Sequence, residues 1–192
     1  MTAPLRGSRT EKNLLAAFAG ESQARNRYTF FSSVAKKEGY EHIAAIFAET
    51  ADDEKQHAKL YFSKLEGGEV EIVAAYPAGV IGKTPANLQA AAAGEHAEWT
   101  NIYPTFARVA DEEGFAKIGA LFRSIAAVEE WHDRRYSKLV ERVEKGMVFQ
   151  RDQPVKWRCR ECGRIVEAKE APMICPTCNH PRAFFEVYAE NF

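Results

Sequence analysis

The 192-residue sequence predicts an all-α four-helix bundle followed by a small four-cysteine metal domain. Three observations carry that reading. Apolar residues recur at helical spacing in four long stretches punctuated by glycines. The first 146 residues are built twice, at an offset of 75: Gly39 and Gly114, Ile43 and Ile118, Phe47 and Phe122, Glu54 and Glu129, His57 and His132, and Tyr28 and Tyr103 all pair. The four cysteines, Cys159, Cys162, Cys175 and Cys178, crowd into 20 residues after a cysteine-free body. The expected boundaries are 1–146 for the bundle and 147–192 for the metal domain.

Each helix has its own signals. Ser8-Arg9-Thr10-Glu11 is a capping box, after which Leu14, Phe18, Glu21, Ala24, Tyr28, Phe31 and Ala35 keep helical spacing up to Gly39. A second stretch runs from Ile43 through Phe47, Glu54, His57 and Tyr61 to Leu65, with Gly67-Gly68 expected to end it. Residues 69–83 read as a crossover long enough to span a helix. Thr84-Pro85 opens the third helix as cap and first-turn proline, and Pro104 should kink it or remove one backbone bond. The fourth runs from Ile118 to Val143 and closes at Gly146. Helices of about 25 residues would be about 38 Å long. The Ala-Gly-Glu of 19–21 recurs at 93–95, offset by 74, so the second copy carries one extra residue before Tyr103. Two helix pairs and a long crossover make a four-helix bundle.

The apolar stripes contain carboxylates. Glu21, Glu54, Glu95, Glu98 and Glu129 all fall at core-facing positions. Glutamate is almost never buried unpaired, and converging carboxylates repel unless a cation compensates them. Glu54-x-x-His57 and Glu129-x-x-His132 each set a carboxylate and an imidazole one turn apart. Glu21 and Glu95 add one carboxylate from each remaining helix. Oxygen donors with imidazole in this pattern suit a pair of iron or manganese ions. Glu98 is a further ligand candidate with no carboxylate at Gln23, Ala24 or Arg25 to match it. Glu130 points off the face, and Tyr28 and Tyr103 are candidates to support the ligands.

In the tail, two Cys-x-x-Cys loops separated by 12 residues suit one tetrahedral metal with four thiolates. A structural zinc ribbon is one reading and a one-iron electron-transfer centre the other. Trp157, Gly163 and Pro176 favour iron, and Trp157, Phe184, Phe185 and Tyr188 would shield it. Lys plus Arg total 26 against 27 Asp plus Glu, a balance that argues against a nucleic-acid partner. No apolar run is long enough for a membrane span, and the first ten residues lack the apolar core of a leader. A reducing cytoplasm is the expected setting, where clustered thiols favour metal over disulfide.

With these motifs in this order, the chain resembles the rubrerythrins, from Gly7-Ser-Arg-Thr-Glu-Lys-Asn13 to the cysteine tail. The resemblance implies a ferritin-like domain holding two irons and a rubredoxin-like domain holding one iron. It implies reduction of hydrogen peroxide to water, with electrons relayed through the four-thiolate iron. It further implies Glu21, Glu54, Glu95, Glu98, Glu129 and His132 as di-iron ligands, with His57 replacing Glu98 on one iron in the reduced state. A head-to-tail homodimer is implied as well. An NADH-linked reductase or a rubredoxin would supply electrons, since no dinucleotide-binding fingerprint is present. The competing expectation is a ferroxidase or iron-handling ferritin-like protein, against which the cysteine tail speaks. Asn179 follows Cys178 where free-standing rubredoxins usually have glycine, and Asn tolerates the left-handed backbone required there.

Overall fold

The computed structural model describes residues 4–190; the first three positions of the stretch read for a leader and the last two of the tail lie outside it. Helices α1 (Arg9–Lys37) and α2 (Glu41–Phe62) form the first antiparallel pair. After the extended crossover, α3 (Thr84–Ala97), a π-helical turn (Glu98–Ile102) and α4 (Tyr103–Glu112) make one interrupted rod, which pairs with α5 (Ala116–Glu144). The π turn absorbs the extra residue that separates the two copies. Inserting one residue into an α-helix without breaking it gives this geometry: the Tyr103 N–H reaches back five residues to the Glu98 carbonyl. Pro104 follows at once, in the first turn of α4, where its missing N–H is tolerated.

Both copies turn their helix pair in the same way. Gly39 and Gly114 hold φ of +83° and +86°, which lets Tyr40 N bond Ala35 O (2.9 Å) and Phe115 N bond Ala110 O (2.7 Å). These are the reversed bonds of a left-handed helix end. The glutamate before each glycine then reaches the other half of the bundle. Glu113 accepts hydrogen bonds from Thr10 N (2.8 Å) and Thr10 Oγ1 (2.7 Å) at the start of α1. Glu38 accepts from Thr84 N (2.9 Å) at the start of α3. Each half therefore caps the first helix of the other.

Two sequence expectations are corrected here. The residue capping α3 is Lys83, without a side-chain bond, because the Glu38 carboxylate takes the role expected of Thr84. Helix α2 ends at Phe62, short of Leu65 and Gly67-Gly68. Tighter turns (Lys64 N to Tyr61 O and Leu65 N to Phe62 O, 3.0 and 3.1 Å) swing Leu65 back against the core.

The repeat also divides the core in two. Tyr28, Phe31, Ile43, Phe47, Leu88 and Tyr136 form one apolar cluster, and Leu14, Tyr61, Tyr103, Ile118 and Phe122 form the other. Position by position they are the same cluster made twice. Between them lies a polar layer of buried Glu21, Glu54, His57, Glu95, Glu129 and His132.

The tail adds a three-stranded antiparallel sheet ordered β2-β1-β3, with β1 Gln150–Cys159, β2 Ile165–Glu170 and β3 Phe185–Val187. Trp157 is fully buried in its centre, facing Val166 on one side and Val187 on the other, and its indole N–H bonds Ala168 O at 3.0 Å. Phe185 is buried beside it, while Phe184 and Tyr188 are half-buried. No described helix is long and apolar enough to cross a membrane.

Candidate metal centres

The polar layer resolves into two overlapping clusters. Glu21, Glu54, His57 and Glu129 each bring one donor atom within 4.8 Å of the others, and so do Glu54, Glu95, Glu129 and His132. Glu54 and Glu129 belong to both, so both candidate cation sites would draw on them. Both histidines aim Nδ1 inward. His57 Nδ1 lies 2.9 Å from both Glu54 Oε2 and Glu129 Oε1. His132 Nδ1 lies 2.7 Å from Glu129 Oε2 and 3.4 Å from Glu54 Oε1.

Protein groups alone leave this layer unsatisfied. Glu21 Oε2, Glu54 Oε1 and Glu95 Oε2 are buried without a hydrogen-bond partner, a state that carries a substantial desolvation penalty. Burial first, then the charges of Glu129 and Glu54, push the Glu21 carboxyl well above its usual range. Burial and the Glu54 charge raise Glu95 in the same sense. Burial disfavours charge on His57, but its bonds to Glu129 and Glu54 prevail and carry it up to about 10. His132 is driven up to about 12 against burial by Glu129, Glu54 and Glu95. Raised proton affinity at Glu21, at Glu95 and at both imidazoles marks a cavity that draws more positive charge than the chain supplies. A pair of divalent cations fits that demand and the oxygen-plus-imidazole donor set.

The supporting tyrosines are crossed between the halves. Tyr28 donates its hydroxyl to Glu95 Oε1, and Tyr103 donates to Glu21 Oε1. Both rings are buried, and burial next to those carboxylates keeps both phenols protonated. A fixed donor on a ligating carboxylate sets which oxygen faces the metal.

Glu98 is placed apart from the other candidates. It belongs to neither cluster and sits half-buried at the start of the π turn. There it lines a cavity of about 340 Å³ together with Ala17, Gly20, Tyr76, Pro77 and Phe106. Burial and the charges of Glu95 and Glu129 hold its carboxyl well above the usual range. The arrangement is the one with His57 turned inward and Glu98 outside. Sequence reasoning missed Asp53, whose Oδ2 lies 3.4 Å from His132 Nε2 on the outer side of the ring. Its only signal is its place before Glu54, and the second copy has Val128 there.

The cysteines form a second centre. Sγ of Cys159 lies 3.7 Å from that of Cys178, Cys162 lies 3.6 Å from Cys175, and all four sulfurs fall within 4.8 Å. These separations are far from a disulfide bond. They match the edges of about 3.8 Å expected of a tetrahedron with metal–sulfur bonds of about 2.3 Å. The loops are shaped for this. Gly163 (φ +76°) and Asn179 (φ +60°) take left-handed backbone, and their N–H groups bond the carbonyls of Cys159 and Cys175 at 2.9 and 3.0 Å. Burial resists thiolate formation at Cys175, but the N–H groups of Cys178 and Thr177 draw the thiol down to about 6.

Comparison with known proteins covers both parts of the chain. The family model described as rubrerythrin matches residues 12–140, and that of the rubrerythrin rubredoxin-like domain matches 157–186. The chain belongs to the rubrerythrin family. It is 59% identical over 192 residues to the rubrerythrin of Porphyromonas gingivalis, covering 100% of this chain and 96% of that one. It is 56% identical over 188 residues to the rubrerythrin of Nitratidesulfovibrio vulgaris, covering 98% of each. Among solved structures, nigerythrin in a partially reduced state superposes with a TM-score of 0.63 at 33% identity, over 97% of this chain and 90% of that one. Rubrerythrins are oxidoreductases with a ferritin-like iron-binding bundle and a rubredoxin-like domain, and this chain has both parts.

Proposed function

We propose that this protein is a di-iron peroxidase that reduces hydrogen peroxide to water, with electrons relayed through its four-thiolate iron. The observation that carries the reading is the pairing, in one chain, of a buried two-cation site sharing Glu54 and Glu129 with a four-cysteine centre. Glu21, Glu54, Glu129 and His57 would hold one iron, with Glu98 as the alternative to His57. Glu54, Glu95, Glu129 and His132 would hold the other, and Cys159, Cys162, Cys175 and Cys178 the third. An iron pair bound there would supply the two electrons that reduction of peroxide requires, with two protons completing two waters.

The chain's own groups do the rest. Tyr103 and Tyr28 lock Glu21 and Glu95 in place through their hydroxyls. The cavity beside Glu98 is a route for a small reactant, because Ala17 and Gly20 leave its wall low. Glu98 lines that cavity and is the carboxylate within it. A separate NADH-linked reductase or a rubredoxin feeds the thiolate iron. A head-to-tail homodimer in a reducing cytoplasm completes the reading, with 1–146 and 147–192 as its two domains.

The test starts from anaerobically reduced, iron-loaded protein mixed rapidly with peroxide or with oxygen. Peroxide should oxidise the pair faster; a reaction far slower than that with oxygen would favour the ferroxidase alternative and refute this one. Cys162→Ser should abolish steady turnover yet spare one oxidation of pre-reduced protein. Unchanged turnover in that variant would remove the relay from the scheme.

A further inference from the structure

The donor set is sealed almost everywhere: Glu21, Glu95, Glu129 and His132 are fully buried, and Glu54 is 1% exposed. The tyrosines that touch it are buried too. Among the described residues, an exposed ring meets a cluster ring at one place. Trp131, on α5, is 51% exposed, and its ring centroid lies 5.6 Å from that of His132. It is also held. The Arg135 guanidinium lies 4.1 Å from the centre of the indole. Arg135 is itself pinned by Glu49 Oε1 (2.6 Å) and Thr50 Oγ1 (2.5 Å).

We propose that Trp131 is the electron-entry residue of the bundle, carrying single electrons from the reduced four-thiolate iron at the protein surface to the metal pair through the His132 ring. This rests on the two-centre reading above and adds where the electron crosses. In each step a ferrous thiolate iron becomes ferric and one ferric ion of the pair becomes ferrous; no bond forms or breaks, and two steps restore the pair. The indole acts as a bridge and is not itself oxidised. A cation on its face stabilises the electron-rich neutral ring and disfavours removing an electron from it. Entry at Trp131, on α5, is separate from the cavity beside Glu98, so a docked donor would not obstruct the small reactant.

The test uses the full-length, iron-loaded protein, reduced and then given one equivalent of oxidant. The visible bands of the ferric four-thiolate iron report its loss of an electron to the oxidised pair. Trp131→Leu should slow the return of those bands by about tenfold or more, and Trp131→Phe should recover most of the rate. Metal content, melting temperature and the first oxidation of the pair should stay as in the parent. In metal-free protein, the emission that disappears in Trp131→Phe should be the part that cobalt(II) loading of the bundle quenches. Band return within about twofold of the parent in Trp131→Leu would overturn the proposal, as would a slowed first oxidation, which would mark a role in building the site. Trp131→Gln replaces the leucine variant if that one folds poorly. Oxygen serves as oxidant if peroxide fails, so loss of the peroxidase reading leaves electron entry measurable. Bands that never return in the parent would refute the relay itself.

Discussion

Replacing Tyr103 by phenylalanine removes one oxygen and leaves the ring in place, so the packing against Tyr61, Phe106 and Phe122 survives. What is lost is the hydroxyl that Glu21 Oε1 accepts, between two side chains that are 1% and 0% exposed. A hydrogen bond to a charged group contributes roughly 1.5–3 kcal/mol. At about 1.4 kcal/mol per decade, that is a loss of about 10-fold to about 100-fold in metal affinity, the range typical of partners that orient a ligand. Anaerobic titration with cobalt(II), read by its visible absorption, measures it. Tyr61 supplies the control: it is equally buried, lies 5.7 Å from Tyr103 ring to ring, and its hydroxyl has no partner. Tyr61→Phe should therefore change affinity by less than about threefold. Affinity in Tyr103→Phe within about threefold of the parent, or an equal loss in Tyr61→Phe, would refute the assignment of a ligand-orienting role to this bond.

Three further outcomes are expected. Hydrogen bonds from Thr10 and Arg9 hold the Glu113 carboxyl down at about 2. A depressed acid stabilises the fold above its unfolded value and loses that contribution as pH falls through the folded one. Glu113→Gln should therefore melt below the parent at pH 7, with the gap closing between about pH 4.5 and pH 2 in a melting series. Gly114→Ala places a Cβ in open space but keeps φ at +86°, so its penalty is backbone strain alone. About 1–2 kcal/mol, or a fall of about 2–8 °C in Tm, should be read by calorimetry. Asn179→Gly should retain the thiolate metal under chelator challenge, while Asn179→Val should release it sooner, since a β-branched residue resists φ of +60°.

The internal repeat made most of the bundle legible, because its core positions and its Glu-x-x-His pairs are local patterns that survive without any partner in view. Glu54, His57, Glu129 and His132 could be placed on one face by spacing, and Tyr28 and Tyr103 by their equivalence. The sequence shows a one-residue excess between Glu95 and Tyr103, but only the structure shows that a π turn takes it up. Other features rest on side chains meeting across the fold. Glu38 and Glu113 look like surface acids at helix ends until the other half arrives. The early end of α2 follows from Leu65 finding the core, a tertiary preference that outweighs helical periodicity. Asp53 and Trp131 gain meaning only from the ring of His132 beside them.

The reciprocal caps have a consequence for the stability of the two halves. Thr10 and Glu113, and likewise Glu38 and Thr84, are far apart in sequence. Ser8 Oγ caps α1 at Glu11 N from within its own half, but the N–H groups of Thr10 and Thr84 are taken up by carboxylates of the opposite half. A chain severed in the crossover would give two pieces: one keeps Glu21, Glu54 and His57 but loses Glu113 as the partner of Thr10, and the other keeps Glu95, Glu129 and His132 but loses Glu38 as the partner of Thr84. These crossed bonds tie the stability of each half to the presence of the other.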